Sequence, residues 1–411
     1  MKAEIISIGT ELLLGHIVNT NAAFLSERLA GLGIDVYYQT TVGDNPLRLT
    51  KAIKEALKRS DIVIMSGGLG PTVDDVTIET LAKLAGKRLV LNKIILNDLK
   101  AYFKMKKVAF PEETIRQAYI PADTKWIRNM VGTAPGLIFE VKDKVIIALP
   151  GPPREMEPMF DKDVRAYLKK KIGASCSSFI TRTIKIAGSA ESQVNRIVMD
   201  LLEMKPPTTV GIYAKLGEVT LKIMSKYPDE SRARAETARI EKIIRGRLGS
   251  SIFACDGETL ESVVAKLLTS KGMTIAVAES CTGGLISNRI TNVSGSSACF
   301  VMGLVAYANS IKEKLLGVKG DLIKKHGAVS EEVAQAMALG MRKLAGTDIA
   351  IGVTGIAGPT GGTKSKPVGL VYIALSSKNK TIVRECRFKG SREEIKHQAS
   401  QVALDLVRKN V

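Results

Sequence analysis

The sequence predicts an α/β protein in three parts: an α/β domain over residues 1–172, a small α+β module over 173–254, and a second α/β domain over 255–411. Three observations carry this expectation. The chain has 411 residues, which at roughly 100–200 residues per domain leaves room for two to four domains. Apolar strands alternate with helix-spaced segments, and the strands end in Gly-bearing loops, the punctuation of mostly parallel sheets. Small polar stretches at Gly173-Ala174-Ser175-Cys176-Ser177-Ser178 and Asp256-Gly257-Glu258 interrupt the pattern where boundaries are expected.

In the first part, Ala3–Ile8 reads as an apolar strand and Asn21–Leu32 has helical apolar spacing. Strands Val36–Val42 and Asp61–Ser66 follow, separated by the helical stretch Leu47–Arg59. Gly136–Val141 and Lys144–Leu149 form a strand pair around a tight turn at Lys142-Asp143, and Pro150-Gly151-Pro152-Pro153 stops the second strand. The middle part reads strand Phe179–Ala187, helix Ala190–Met204, strands Thr208–Ala214 and Glu218–Ser225, and helix Ser231–Arg247. The last part opens with helix Leu260–Ser270 and strand Thr274–Ala278, then a Gly-rich turn and helix Leu285–Thr291. Strand Phe300–Tyr307, helices around Ser330–Leu344, strands Ile349–Thr354, Gly369–Ser376 and Thr381–Phe388, and a helix from Ser391 complete it. No internal repeat is visible.

Composition narrows the function classes. Apolar residues make up 45% and charged residues 25%, an ordinary globular balance. The net charge of +19 favours capture of anions without choosing among nucleic acid, nucleotides and sugar phosphates. Aromatic residues are only 5%, which weighs against stacking platforms for single-stranded nucleic acid. The first residues read as a short strand rather than a secretory h-region, and no apolar run reaches the ~18–20 residues of a membrane span. Cys176, Cys255, Cys281, Cys299 and Cys386 show no close pairing, so neither a zinc site nor a disulfide framework is indicated. A cytoplasmic protein is expected.

Three loops of the last part share one sheet edge. Ala278-Glu279-Ser280-Cys281-Thr282-Gly283-Gly284 lies between a strand and a helix, where helix N–H groups favour a developing oxyanion. The plainer reading makes Ser280 and Thr282 helix caps. Ser294-Gly295-Ser296-Ser297 adds hydroxyls, the next strand delivers Tyr307, and Lys312 begins a helix five residues on. A serine nucleophile needs a base, and none of His16, His326 or His397 sits among motif-like residues. Lys or Tyr must then serve, and Lys312 qualifies only if burial or nearby positive charge lowers its pKa from about 10.4. Cys281 is a rival nucleophile, although a lone Cys is more often a packing group. Thr354-Gly355-Ile356-Ala357-Gly358-Pro359 presents backbone N–H groups to a phosphate or carbonyl, and it lacks the Gly-Lys-Ser/Thr ending of a Walker loop.

The first part has its own loop set. Gly9-Thr10-Glu11 leads to Asn19, Ser66-Gly67-Gly68-Leu69-Gly70-Pro71-Thr72-Val73-Asp74-Asp75 follows a strand, and Gly132-Thr133-Ala134-Pro135-Gly136 precedes another. Gly67, Gly68 and Gly70 let the backbone approach a phosphate. Asp74-Asp75 suggests a hydrated divalent cation between carboxylate and phosphate; alternatively one of them caps a helix from Val76.

These motifs resemble the CinA family along the whole chain. The Glu-Ser-Cys-Thr-Gly-Gly run, Tyr307 with Lys312, and the Thr-Gly-Ile-Ala-Gly-Pro loop are similar to that family's nicotinamide mononucleotide deamidase domain. The resemblance implies an amidohydrolase releasing ammonia and nicotinic acid mononucleotide, with no cofactor at this site. Ser280 would attack the carboxamide, Lys312 would be the leading base with Tyr307 sharing or relaying the proton, and Ser297 and Thr354 would orient substrate. Substrate phosphate would meet a basic residue near the last helix; Arg392 is the choice, with Lys396 where a second arginine is expected.

The first-part loops resemble the molybdopterin-binding-like fold of CinA proteins, which implies a metal-assisted ADP-ribose pyrophosphatase. Asp75 would support the metal, magnesium being the expected ion, and Asp44 would position water or metal. Glu11 and Asn19 would contact sugar or phosphate, with Gly67, Gly68, Gly70, Thr72 and Thr133 lining the groove. The middle part resembles the family's KH-like insert, but Gly211 and Gly217 sit at strands, so the helix-flanked Gly-x-x-Gly clamp for nucleic acid is missing. A spacer or dimerisation role is expected, in a homodimer acting on small nucleotides. The competing readings are a nucleic-acid-binding accessory protein and a module that holds a nucleotide or pterin without catalysis.

Overall fold

A computed structural model describes residues 1–141, 143–173 and 178–411. Lys142 of the expected tight turn, and most of the small polar stretch expected as a linker, Cys176 included, lie outside the described residues. The chain forms two compact units, residues 1–180 with 226–234, and residues 181–225 with 235–411.

In the first unit, β1 (Lys2–Ile8), β2 (Asp35–Val42) and β3 (Ile62–Ser66) are joined through α1 (Thr10–Leu13), α2 (Thr20–Ala30) and α3 (Pro46–Arg59). Then come α4 (Thr77–Ala85), β4 (Leu89–Leu91), α5 (Lys93–Lys106), β5 (Tyr119–Pro121), β6 (Lys125–Ile127), β7 (Gly136–Val141), β8 (Lys144–Leu149), α6 (Pro153–Met159) and α7 (Arg165–Ile172). The main sheet has the order β2-β1-β3-β8-β7-β6. Its first four strands are parallel, and β7 and β6 turn antiparallel. Central strands are apolar at nearly every position because both faces are covered. Their two-residue period separates two cores: Ile6, Val63, Met65, Ile146 and Ala148 face one side, and Ile5, Ile62, Ile64, Val145 and Ile147 the other. The carboxyl ends of β1, β3 and β8 are thereby held in register (Ser7 opposite Ser66, Ser66 opposite Leu149), and the loops beyond them form the site.

The second unit carries two sheets. The first, ordered β10-β11-β9-β12, is built from β9 (Ser178–Ala187), β10 (Thr208–Lys215), β11 (Glu218–Tyr227) and β12 (Ile252–Cys255). Helices α8 (Glu191–Leu202) and α9 (Glu230–Leu248) supply Val194, Val198, Ile240 and Ile244 to its core. After α10 (Leu260–Ser270), the second sheet runs β14-β13-β15-β16-β17. Its strands are β13 (Ile275–Glu279), β14 (Phe300–Val305), β15 (Ile349–Gly355), β16 (Leu370–Ser376) and β17 (Thr381–Arg387). β13 is parallel to both neighbours; β15, β16 and β17 are antiparallel. The helices are α11 (Leu285–Thr291), α12 (Asn309–Leu316), α13 (Gly320–His326), α14 (Glu331–Ala345) and α15 (Arg392–Asn410). A Cβ at Gly352 would stand 2.5 Å from Ala334 O and Ala338 N, so glycine lets α14 lie directly on β15.

The helix after Ser280 starts at Leu285 as expected, behind Gly284 in the left-handed conformation, with Ser280 on the turn that precedes it. Three local expectations are corrected. Lys312 lies in the middle of α12 rather than at its start, and β14 ends two residues before Tyr307. The helix after Asp75 begins at Thr77 without a side-chain cap; Asp75 instead accepts from the N–H and hydroxyl of Thr72.

Candidate functional site

The second-unit site is built on the turn that leaves β13. Its geometry is set by Glu279, a residue whose role the sequence motif does not reveal as catalytic or binding. This fully buried carboxylate accepts from the N–H groups of Gly284 (3.0 Å), Ile286 (3.1 Å) and Ser287 (2.9 Å) and from the Ser287 hydroxyl (2.7 Å). It thus satisfies N–H groups at the start of α11 that Ser280 and Thr282 were expected to cap. The turn closes through Gly283 N–H to Ser280 O, with Gly283 and Gly284 both at positive φ. The signal was available: a carboxylate just before a turn whose N–H groups need acceptors.

Ser280 is 9% exposed, and its Oγ accepts a 3.3 Å hydrogen bond from Lys312 Nζ. The same amine donates to Tyr307 O at 2.9 Å. Lys312 is 1% exposed, and no carboxylate pairs with it among the described residues. Burial pulls its pKa below the ordinary lysine range, with the neighbouring Cys281 acting weakly the other way. Burial also pushes the Cys281 thiol up to about 12, so it stays protonated and is a poor nucleophile.

Tyr307 enters this site mainly through its backbone carbonyl. Its side chain is exposed, with the hydroxyl accepting from Arg392 Nη2 at 3.1 Å. Arg392 also donates to Gly358 O at 2.7 Å, tying the loop after β15 to Tyr307. One turn along α15, Lys396 Nζ lies 3.5 Å from where a Gly283 Cβ would stand. Thr354 is buried and spends its hydroxyl on Ala328 O at 2.7 Å. Gly355 is packed on the β16 backbone, where a Cβ would meet Leu370 O at 2.8 Å. Ser297 is exposed on a single turn before β14, and no described bond joins it to Ser280.

In the first unit a cavity of about 360 Å³ is lined by Glu11, Asp44, Gly67, Gly68, Gly70, Asp74, Asp75, Thr133 and Glu155, among others. Asp44 Oδ2 accepts from Thr10 N–H (2.8 Å) and hydroxyl (2.7 Å). A Cβ on Gly70 would sit 2.3 Å from Asp75 Oδ2, and one on Gly67 2.2 Å from Ile8 O, so these glycines make room for the carboxylate and the neighbouring strand. Asn19 stands apart: it caps α2 by accepting from Ala22 N–H and donates to Ser7. Five carboxylates and no Lys, Arg or His line this cavity. The donors are hard oxygens, which fit magnesium or a similar cation. Among the described residues no three His, Cys, Asp or Glu converge as a ready-made metal cage.

No helix among the described residues is long and apolar enough to cross a membrane. Residues 257–411 match the family described as "CinA C-terminal domain", 4–170 the "Probable molybdopterin binding domain", and 181–254 the "Damage-inducible protein CinA KH domain". The chain is 50% identical over its full length to a "Putative competence-damage inducible protein" of Caldicellulosiruptor saccharolyticus, covering 99% of that relative. It is 49% identical to a "CinA-like protein" of Kosmotoga olearia, covering 100% of this chain and 98% of the relative. Among solved structures, competence/damage inducible protein CihA from Agrobacterium tumefaciens shares 39% identity, covering 36% of this chain and 90% of that one, with a TM-score of 0.35.

Proposed function

Because this chain belongs to the CinA family of competence-damage inducible proteins, we propose that its second unit is a serine amidohydrolase acting on nicotinamide mononucleotide. The observation that carries this reading is the buried, carboxylate-free Lys312 hydrogen-bonded to Ser280 Oγ at 3.3 Å. A lysine shifted down by desolvation supplies the neutral amine that a serine nucleophile requires.

The neutral Lys312 amine takes the Ser280 proton as Oγ bonds to the carboxamide carbon, and the carbonyl oxygen becomes an oxyanion. Collapse breaks the C–N bond as the Lys312 ammonium gives its proton to the departing amide nitrogen, releasing ammonia. Water then hydrolyses the acyl-serine with Lys312 again as base. Arg392 and Lys396 supply positive charge for the substrate phosphate, and Arg392 also positions Tyr307 and the Gly358 loop. The choice of nicotinamide mononucleotide among amides follows from the family resemblance.

For the first unit the reading is metal-dependent cleavage of ADP-ribose. Asp44 and Asp75 would hold a divalent cation, whose chemistry there is neutralisation of the diphosphate. The absence of basic side chains on the cavity wall supports this, since five carboxylates would otherwise repel such a ligand.

Ammonia release from nicotinamide mononucleotide is the test, run on the wild type, Ser280→Ala and Cys281→Ala. Loss in Ser280→Ala alone is expected; a silent wild type, or equal loss in Cys281→Ala, would sink the assignment. For the first unit, Mg²⁺-dependent release of AMP from ADP-ribose should disappear in the Asp44→Ala, Asp75→Ala double variant.

A further inference from the structure

Resting on the ADP-ribose reading, we propose that Glu155 is the general base of the first-unit site, taking the proton of the water that attacks the diphosphate. Glu155 projects from α6 onto the cavity wall and is 9% exposed. Its Oε2 accepts from Asn129 Nδ2 at 2.8 Å. Asn129 also donates to Ala134 O (2.9 Å) and accepts from the N–H groups of Val131 (3.0 Å) and Gly132 (2.7 Å). One amide therefore fixes both this carboxylate and the loop that carries Thr133. A Cβ on Gly132 would stand 2.1 Å from Glu155 Oε2, so the loop has been kept bare where the carboxylate lies.

What distinguishes Glu155 from the other four carboxylates is its environment. Asp44 and Asp75 each have Oδ2 held by two threonine donors, and Glu11 and Asp74 are exposed. Glu155 is the buried one, with a neutral amide on one oxygen and no described partner on Oε1. Its Oε1 is left open to the cavity while Asn129 holds the other oxygen in place. A free carboxylate oxygen within a fixed frame is what general-base catalysis needs.

The step balances as follows. Glu155 Oε1 takes one water proton while the water oxygen bonds to phosphorus. The P–O bond to the bridging oxygen breaks, and its electron pair leaves with the second phosphate. The proton on Glu155 passes to solvent or to the released phosphate, restoring the carboxylate.

The experiment uses the full chain and Glu155→Gln, which keeps an acceptor for Asn129. Folding is checked by thermal melting, Mn²⁺ binding by electron paramagnetic resonance, and turnover by AMP release from ADP-ribose. We expect kcat to fall about 100-fold or more, with KM and Mn²⁺ affinity held within about threefold. A variant keeping more than about a tenth of kcat, or one that loses Mn²⁺ binding because Glu155 ligates the ion, overturns the assignment while wild-type cleavage stands. A wild type that cleaves no ADP-ribose overturns the underlying reading and this assignment with it.

Discussion

The two candidate sites use charge in opposite ways. The second-unit site holds a buried amine, Lys312, 1% exposed and bonded, among the described residues, to a hydroxyl and a backbone carbonyl. The first-unit cavity has five carboxylates and no basic side chain, in a chain of net charge +19. Burial of a lone amine favours its neutral form and makes it a proton acceptor without any cofactor. Carboxylates gathered on one wall repel an anionic ligand, a repulsion that a bound cation would offset. The same type of strand-end loop thus presents either a nucleophile or a cation cradle, and the side chains behind the loop decide which.

The largest test of that contrast is at Lys312. If its neutral amine is the proposed base, Lys312→Met and Lys312→Arg should each lower ammonia release by about 10²–10⁴-fold, because Arg stays protonated. Retention of activity by Lys312→Arg would mean that positive charge, and not proton transfer, is what the site uses there.

Glu279 offers a smaller and mainly structural test. Glu279→Gln retains the shape but converts one of two acceptor oxygens into a donor facing backbone N–H groups. Hydrogen bonds to a charged group contribute about 1.5–3 kcal/mol, so a stability loss of that order is expected in urea unfolding, with a distorted Ser280–Gly284 turn and reduced turnover. An unchanged unfolding midpoint would show that Glu279 does not hold the turn.

The smallest expected effect is the pH dependence of stability. Because the folded pKa of Lys312 lies below its ordinary value, the unfolded chain binds more protons between the two. Stability from this residue therefore rises with pH across that window and is complete above the unfolded value of about 10.4. Wild type should gain on Lys312→Met as pH rises toward about 10.4; parallel curves would show that Lys312 carries no such shift.

Much of the fold was legible because local periodicity was strong. Helices Leu260–Ser270 and Leu285–Thr291 and strands Gly136–Val141 and Lys144–Leu149 lie where the apolar pattern puts them. The three-residue strands β4 and β5 are too short to carry a period. The fourteen-residue α5 carries a readable start signal in its Asn92 cap. In the candidate sites, Ser280, Lys312, Asp44 and Asp75 could be named from loop motifs and family resemblance. Asn129 and Glu155 could not be given roles, since each acts through a partner that only folding brings to it; Glu279 was readable, because the N–H groups it accepts from lie within eight residues.

What the sequence determined by itself was the alternation of strands and helices, the glycine-bearing loops at strand ends, and the family, because those rest on neighbours in the chain. Tertiary structure alone decided that Lys312 is buried without a counter-ion among the described residues, that Cys281 is shut away as a thiol, and that Asn19 is taken up by a helix cap. The physical reason is that solvation and hydrogen-bond partners belong to the surroundings of a side chain. Those surroundings come from segments as far apart as Asn129 and Glu155, or Ser280 and Lys312, which meet only when the sheets and helices pack.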